Sequence, residues 1–319
     1  MDSMYAMNKL HTNEMKLPDF LVIGAMKSGT TSLCRDLANH PKIYFPPVKE
    51  PHTLCLEDVV TPNGRRKYAD LFRGASPHQI CGEGSTGYTK LPYSKKVPFH
   101  AKEVCGSDLR LIYIVRDPLE RALSHHYHAY RAGQVSADFS VAIEQDKTIL
   151  TCSKYAFQLR PWIDVFGLDK ICVIRFEDYV VDRKKTIDSV CRFLGLEPIP
   201  SLNNKIIMNA GERQSQAPKW LRESFFYKMW SRFKRGQFYK RSVRPFLDDK
   251  WINGLKQIIF TDPPPPRPPL PSPEVVEAFV RDLREDQEQF RILLNLDKPM
   301  WDLEVTQSKY VNAKMGRNV

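Results

Sequence analysis

A lysine, a glycine and four hydroxyl-bearing residues occur close together in the segment DFLVIGAMKSGTTSL, residues 19–33. The apolar run FLVIG predicts a buried strand, and the residues after Gly29 predict a helix over 30–39. A loop lysine beside free N–H groups at a helix start binds phosphate. In a nucleotide-triphosphate loop, GxxxxGK[ST], the lysine follows the glycine, whereas Lys27 precedes Gly29, so we expect a different phosphate ligand. The candidate contacts are Lys27, Ser28, Gly29, Thr30, Thr31 and Ser32.

A second candidate contact follows the apolar run LRLIYIV, residues 109–115, which predicts another buried strand. Arg116 ends this strand, and Ser124 lies eight residues further on, in a helix that begins near Pro118. Ligands of parallel sheets bind at the carboxyl ends of the strands, so the two side chains can hold one phosphate. The alternative is a surface Arg–Asp pair and an incidental helix serine.

Strand, loop and helix alternate along the chain, which predicts an α/β fold with a central parallel sheet flanked by helices on both faces. The Gly-bearing loop and Arg116 then meet at one edge of that sheet. Strands are expected at 20–24, 79–83, 109–115 and 170–176, and later helices at 154–166, 182–194 and 274–294.

The chain has 319 residues, and we expect one domain over 18–301. Residues 1–17 are interpreted as a flexible arm and 302–319 as a tail. The proline-rich run 262–273 is predicted to be a spacer from which the helix 274–294 packs back on the domain. The basic and aromatic stretch 219–244 is a candidate acceptor lid or anionic-surface patch.

These segments resemble the PAPS-dependent sulfotransferases, whose donor is 3′-phosphoadenosine 5′-phosphosulfate (PAPS). FLVIGAMKSGTTSL is similar to their 5′-phosphosulfate loop, and YIVRDPLERALSHHYH is similar to their 3′-phosphate motif. VIRFEDYVVDRKKTIDSVCRFLGLEP and PSPEVVEAFVRDLREDQEQFRILL resemble later family segments, so the likeness covers roughly residues 18–301. It is closer to the carbohydrate and bacterial enzymes than to the phenol and steroid enzymes. It implies a sulfotransferase with a P-loop NTPase-like fold.

The resemblance implies that residues 27–32 hold the 5′ end of PAPS and that Lys27 stabilises the departing phosphate oxygen. Arg116 and Ser124 would hold the 3′-phosphate, adenosine 3′,5′-bisphosphate (PAP) would be the product, and no metal would be needed. Arg213 is a weaker candidate for a loop that closes over the donor.

An acceptor hydroxyl or amine needs a general base, and the carbohydrate enzymes use a Glu in the loop after the first helix. Glu50 in PPVKEPHTLCLED occupies the matching place; the alternative is an exposed loop carboxylate. Glu83, His52 and Tyr155 are weaker candidates for substrate contact. Glu83 lies in EGS where many carbohydrate relatives have Glu-Lys-Ser/Thr, so Gly84 replaces the expected lysine and indicates a different acceptor pocket.

The net charge of +11 favours an anionic ligand. Seven cysteines without CxxC spacing predict reduced thiols, and no apolar run is long enough to span a bilayer. With no signal-like N-terminus, these features predict a cytoplasmic protein whose partner is a small-molecule or sugar acceptor rather than nucleic acid. A small natural product is the expected acceptor, and a carbohydrate or glycolipid is the alternative. The oligomeric state is left open.

Two functions of other classes compete with sulfuryl transfer. A kinase or other NTP-dependent enzyme predicts the GxxxxGK[ST] order and a magnesium-binding Asp at a strand end, for which Asp117 is the available residue. A non-enzymatic module that binds glycans or other anions through 219–244 needs neither Lys27 nor Glu50.

Overall fold

The computed structural model describes residues 15–202 and 265–315, together with Ser224 and Met229. Its described part contains a sheet of five parallel strands in the order β2-β3-β1-β4-β5. The strands are β1 Phe20–Gly24, β2 Ile43–Tyr44, β3 Ile80–Gly84, β4 Arg110–Val115 and β5 Ile171–Arg175. The central strand β1 carries the Gly-bearing loop at its carboxyl end, between the ends of β3 and β4.

Eleven α-helices lie in the described ranges. Those that follow the first four strands are α1 Thr30–Leu37, α2 Pro62–Ala69, α3 Val97–Cys105, α4 Pro118–Arg131, α5 Phe139–Gln145, α6 Thr148–Thr151 and α7 Tyr155–Phe166. The remaining ones are α8 Phe176–Val181, α9 Arg183–Phe193, α10 Pro273–Leu293 and α11 Leu303–Met315.

Alternate residues of the strands enter two apolar layers, one on each face of the sheet. Leu21 and Ile23 of β1 pack with residues of α3 and α7. Phe20 and Val22 point to the other face and pack with residues of α1 and α9. Helices therefore cover both faces, and the predicted α/β fold with a parallel sheet is confirmed.

Local signals set several element ends close to the predicted positions. Asp117 caps α4 by accepting from the N–H groups of Leu119 and Glu120, and Pro118 occupies the first helical turn. The predicted helix 154–166 is α7, which continues through Pro161. The short strand β2 and the helices α3, α5, α6, α8 and α11 were not predicted.

The C-terminal segment differs most from the sequence interpretation. Residues 302–319 were interpreted as a tail, but α11 packs against α10, and Leu303 joins a third apolar cluster with residues of α4, α5 and α10. Of the predicted N-terminal arm, residues 1–14 lie outside the described part, and Lys16 donates from Nζ to the carbonyl of Ser76 at 2.5 Å. The stretch 219–244, except Ser224 and Met229, and residues 262–264 of the spacer also lie outside it.

Within the described ranges, no helix has the length and apolar character required to cross a membrane. Cys81, Cys152 and Cys191 are buried, and the other four cysteines are half-buried.

Candidate active site

The loop between β1 and α1 has the geometry of an anion site. Gly29 occupies the N-cap of α1 with a φ of 91° and offers no side-chain cap. A Cβ atom there would lie 2.7 Å from the ring of Phe176, so both the backbone angle and the packing require glycine. The first N–H groups of α1 therefore remain available to a ligand, and the helix dipole favours a negative one. We call residues 24–29 the phosphate loop.

Lys27 lies on this loop, half-buried and with a φ of 69°. Burial lowers the pKa of Lys27, and neighbouring positive charges lower it further. Those charges belong to Arg131, Lys49, Arg116 and Arg121. Because like charges repel and burial penalises them, such a group of cations is stabilised by an anion placed among them. We call these five residues the cation cluster.

Ser28 is fully buried, and its hydroxyl has no well-formed hydrogen bond. A weak interaction with the Tyr155 hydroxyl is its contact in the protein, so the Ser28 hydroxyl keeps hydrogen-bonding capacity for a ligand. Thr30 is buried, Ser32 is half-buried and Thr31 is exposed at the start of α1. The phosphate loop and the first turn of α1 thus bring the predicted hydroxyl groups to one helix end, where they differ in solvent exposure.

Tyr155 stands next to Ser28 and was predicted to contact the substrate. It is 2% exposed, its hydroxyl donates to the Arg116 carbonyl at 2.5 Å, and it accepts from the Arg116 N–H at 3.3 Å. Burial raises the pKa of Tyr155, which keeps the hydroxyl a donor. This placement does not fit acceptor contact, because Tyr155 is a core residue that fixes the backbone after β4.

Arg116 follows β4 as predicted and is half-buried. Its Nη2 donates to Glu120 Oε2 at 3.1 Å, and its Cζ lies 5.2 Å from the centre of the Phe176 ring. Ser124 lies two turns further along α4 and is also half-buried. The structure thus places a guanidinium held on an aromatic face beside Lys27, at the edge of the sheet where donor binding was expected.

Glu50 lies on the loop after α1, in a left-handed conformation with a φ of 49°. Thr86 donates from Oγ1 to Glu50 Oε2 at 3.0 Å, and His52 Nε2 lies 3.5 Å from the same oxygen. The side chains of Glu50 and His52 are 29% and 28% exposed, so both can reach a bound molecule. The structure brings these two predicted residues together.

The charges of Glu50 and Lys27 both act on the pKa of His128, so these three residues lie in one region of the molecule, which we call the basin. The pKa of His128 is lowered to about 4 because the surrounding protein limits its hydration, and the charge of Lys27 lowers it further. The charge of Glu50 raises that pKa. His128 is exposed on α4 and, with its pKa lowered, is neutral near pH 7.

Sequence reasoning missed several residues of this basin, among them His128, Arg131 and Lys90. A signal for two of them was present, because His128 and Arg131 follow Ser124 by four and seven positions. At that spacing, the three residues share one face of α4.

Glu83 was predicted as a substrate contact, but its side chain is completely buried. Ser85 donates to Glu83 Oε1 at 2.5 Å, Tyr88 donates to Oε2 at 3.0 Å, and Tyr68 also donates to Oε2. Burial raises the pKa of Glu83. Direct contact with an acceptor does not fit this placement, because protein donors surround the carboxylate.

The donors to Glu83 also hold the loop that carries Glu50. Ser85 Oγ accepts from the His52 N–H at 3.2 Å, and the Tyr88 hydroxyl accepts from the Leu54 N–H at 3.3 Å. Two hydroxyl groups therefore connect the buried carboxylate to the backbone just after Glu50. We call Glu83 with Tyr68, Ser85 and Tyr88 the carboxylate cluster.

Gly84 lies on the opposite face of β3 from Glu83, as strand alternation requires. A Cβ atom at Gly84 would lie 2.6 Å from the Cys34 sulfur of α1. A lysine at this position would therefore have to displace Cys34 of α1, so the local packing fits glycine here rather than the lysine of the expected Glu-Lys pair. Arg213 lies outside the described residues. Within the described ranges, no group of three or more His, Cys, Asp or Glu residues could hold a metal ion.

Residues 17–260 match the family model described as Sulfotransferase domain. The chain belongs to the sulfotransferase family. The predicted family membership is therefore confirmed. Helices α10 and α11 lie beyond the matched residues.

Known sulfotransferases resemble this chain over part of their length. Carbohydrate sulfotransferase 15 of Mus musculus is 24% identical over 269 residues, which cover 64% of this chain and 48% of the relative. Heparan sulfate glucosamine 3-O-sulfotransferase 3A1 of Mus musculus is 27% identical over 199 residues, 60% of this chain and 49% of the relative. The chain spans about half the length of these curated relatives.

A solved structure resembles the fold over most of the chain. The sulfotransferase from Alicyclobacillus acidocaldarius aligns with a TM-score of 0.60 and 20% identity, covering 88% of this chain and 97% of that chain. This likeness agrees with the parallel sheet described above and shows the fold alone.

Proposed function

We propose that this protein transfers the sulfuryl group of PAPS to a hydroxyl or amine of an acceptor. The observation that carries the proposal is the cation cluster around Lys27, at the N-terminus of α1 and in the same basin as Glu50. The placement of positive charge beside a carboxylate suits a reaction in which an anion leaves while an acceptor loses a proton.

The donor is expected to bind along the carboxyl ends of β1 and β4. Lys27, the Ser28 hydroxyl and the N–H groups at the start of α1 would hold the 5′-phosphosulfate, with Thr30, Thr31 and Ser32 as further hydroxyl donors. Arg116 and Ser124 would hold the 3′-phosphate. The cluster offers the charge that the phosphates require, so the proposal includes no metal.

The reaction would begin when Glu50 accepts the proton of the acceptor hydroxyl or amine. The acceptor atom then forms a bond to sulfur while the bond between sulfur and the 5′-phosphate oxygen breaks. PAP departs with that electron pair, and Lys27 stabilises the new charge on the phosphate oxygen. The Thr86 hydroxyl, which donates to Glu50 Oε2 at 3.0 Å, orients Glu50 for this step.

The proposal includes two candidate classes of acceptor. A small natural product is our first candidate. A carbohydrate is the second, and it is favoured by two observations: the names of the relatives, and cations such as Lys49 and Lys90 near the basin, which would suit an acidic sugar. A screen of labelled PAPS against hydroxylated small molecules, neutral oligosaccharides and uronic-acid oligosaccharides would separate these classes by rate.

The site does not fit an NTP-dependent enzyme that uses Asp117 for magnesium. Asp117 is 6% exposed, its Oδ1 caps α4, and its Oδ2 accepts from Thr306 at 2.5 Å. Both oxygens of this carboxylate are therefore committed to protein donors. A binding module without catalysis would require no base at Glu50, and the stretch proposed for it lies largely outside the described residues.

Calorimetric titration with PAP in EDTA tests the donor site. We expect binding without metal that is tighter than that of 5′-AMP and that weakens in both Lys27→Ala and Arg116→Ala. Lys95→Ala, at an exposed lysine, is the matched control and should bind as the wild type does. The proposal fails if PAP does not bind, or if ATP with magnesium binds more tightly. A Lys27→Ala variant with full ligand binding, from a protein without transfer activity, would favour the binding module.

A further inference from the structure

Three side chains of the C-terminal segment contact acidic residues beside Arg116. The indole N–H of Trp301 donates to Glu177 Oε2 at 3.2 Å, and the Thr306 hydroxyl donates to Asp117 Oδ2 at 2.5 Å. The Tyr310 hydroxyl donates to Glu120 Oε1 at 2.5 Å. We call residues 301–310 the C-terminal strap.

All three acidic residues belong to the surroundings of Arg116. The other oxygen of Glu120 accepts from Arg116 Nη2 at 3.1 Å. Asp117 follows Arg116 directly, and its N–H donates to Glu177 Oε1 at 2.8 Å. The C-terminal strap therefore orients the Glu120 carboxylate, which in turn accepts from the Arg116 guanidinium. Through Thr306 and Trp301 it also fixes the backbone next to Arg116.

Arg116 has capacity left for a ligand in this arrangement. Glu120 takes a single Nη2 contact, and one face of the guanidinium lies over Phe176. A guanidinium has five N–H donors in a fixed fork. An arginine that is already held by an aromatic face and one carboxylate loses less side-chain freedom when it binds a phosphate.

We propose that the C-terminal strap positions Arg116 for the 3′-phosphate of the donor, with Tyr310 acting through Glu120 and Thr306 acting through Asp117. This inference rests on the proposed donor site. Tyr310 and Thr306 are positioning residues, since neither side chain reaches the phosphate loop. Thr306 and Tyr310 lie outside residues 17–260, which the family model matches. The proposal therefore gives a role in donor binding to a segment beyond the matched residues.

The chemistry of Tyr310 supports a permanent contact. Burial and the hydrogen bond to Glu120 raise the pKa of Tyr310, so its hydroxyl keeps its proton near neutral pH. Glu120 can then only accept from it. The orientation of Glu120 toward Arg116 is thereby set by donors on both of its oxygens.

The test compares PAP with 5′-AMP, which lacks the 3′-phosphate. In Tyr310→Phe, which keeps the ring and loses the hydroxyl, we expect PAP to bind about threefold to tenfold more weakly, less than the full effect of one hydrogen bond to a charged group because Tyr310 acts through Glu120. Binding of 5′-AMP should be unchanged. Thr306→Val should act in the same direction, and it serves as the second variant if Tyr310→Phe does not fold. Ser308→Ala, at an exposed position on the same helix, is the control and should change neither ligand.

A double-variant cycle separates positioning from general loosening. In an Arg116→Ala background, Tyr310→Phe should cause no further loss of PAP affinity. The inference is overturned if Tyr310→Phe and Thr306→Val leave PAP binding unchanged, weaken PAP and 5′-AMP equally, or act equally in the absence of Arg116. If the wild-type protein does not prefer PAP to 5′-AMP, the proposed donor site itself fails and the strap inference fails with it.

Discussion

The phosphate loop and the carboxylate cluster lie at the ends of neighbouring strands and differ in how their ionisable groups, Lys27 and Glu83, are surrounded. Around Lys27, like charges are concentrated, and the buried hydroxyl of Ser28 has no well-formed hydrogen bond. Around Glu83, a single buried carboxylate receives hydrogen bonds from three hydroxyl groups. Both Lys27 and Glu83 have shifted pKa values, but Glu83 has three protein donors, whereas the charges around Lys27 lower its pKa.

This difference distinguishes a site built for a ligand from a site built for structure. A shifted pKa alone does not separate them, since structural networks shift pKa values as well. The state of the hydrogen bonds does: polar groups that a fold needs for its own stability are paired, whereas groups meant for a ligand stay unpaired at a cost in stability. Glu50 joins the two regions, because its loop is held by the carboxylate cluster while its charge, like that of Lys27, acts on His128.

The largest expected effect comes from Glu50→Gln. If Glu50 is the base, turnover should fall about 100- to 10,000-fold, while PAP binding and the melting temperature remain near wild type. Steady-state rates, calorimetry and thermal melting measure the three quantities. Glu57→Gln, at an exposed carboxylate on the same loop region, is the control. Normal turnover in Glu50→Gln would remove Glu50 from the mechanism.

Lys27→Met tests whether Lys27 serves the ligand rather than the stability of the fold. Turnover should fall about 100- to 1,000-fold, as for the loss of one charge-stabilising donor. The ligand-free protein should melt at the same or a higher temperature, because a repelled, half-buried cation is removed. A marked drop in melting temperature would show that Lys27 supports the fold, and the contrast with Glu83 would be lost.

Glu83→Gln should affect stability more than chemistry. The Gln amide offers one acceptor oxygen and an NH2 group in place of two carboxyl oxygens, so it cannot accept from all three hydroxyl groups, and we expect a loss of about 1–3 kcal/mol in the free energy of unfolding. Turnover should fall less than in Glu50→Gln, because only the position of the Glu50 loop changes. If PAP binding fell while stability stayed constant, Glu83 would belong to the site rather than to the structure.

The pH dependence of this penalty follows from the raised pKa of Glu83. In the folded protein the carboxyl group holds its proton above its ordinary pKa of 4.5, so its contribution to stability is fully present below that value. The contribution is lost as the pH rises through the raised pKa. The penalty of Glu83→Gln should therefore shrink from pH 4.5 upwards, which urea unfolding of both proteins across pH would measure. A penalty that grew with pH would contradict the assignment.

Gly84→Ala is the smallest test. Its methyl group would meet the Cys34 sulfur, so we expect a loss of about 1–2 kcal/mol from overpacking with little change in PAP affinity. Adding Cys34→Ala should restore most of the stability, since it removes the obstructing atom. If the double variant remained as unstable as Gly84→Ala alone, the explanation for the missing lysine would be wrong.

The amino-acid sequence by itself determined the parallel α/β layout and the phosphate loop. Strands β1 and β4 are continuous apolar runs, α4 begins at an Asp-Pro pair, and Lys27, Gly29 and Thr30 are adjacent in the chain. These features act over a few residues, through backbone geometry and hydrophobic period. A sequence pattern therefore carries them directly.

Only the tertiary structure decided the roles of Glu83 and the C-terminal strap. Glu83 ends a strand as Arg116 does, but Tyr68 and Tyr88 bury it, and nothing near Glu83 in the sequence announces the contact with Tyr68. Tyr310 meets Glu120 across 190 positions of the chain. Contacts of that kind depend on how layers pack, because side chains brought together by folding leave no spacing in the sequence.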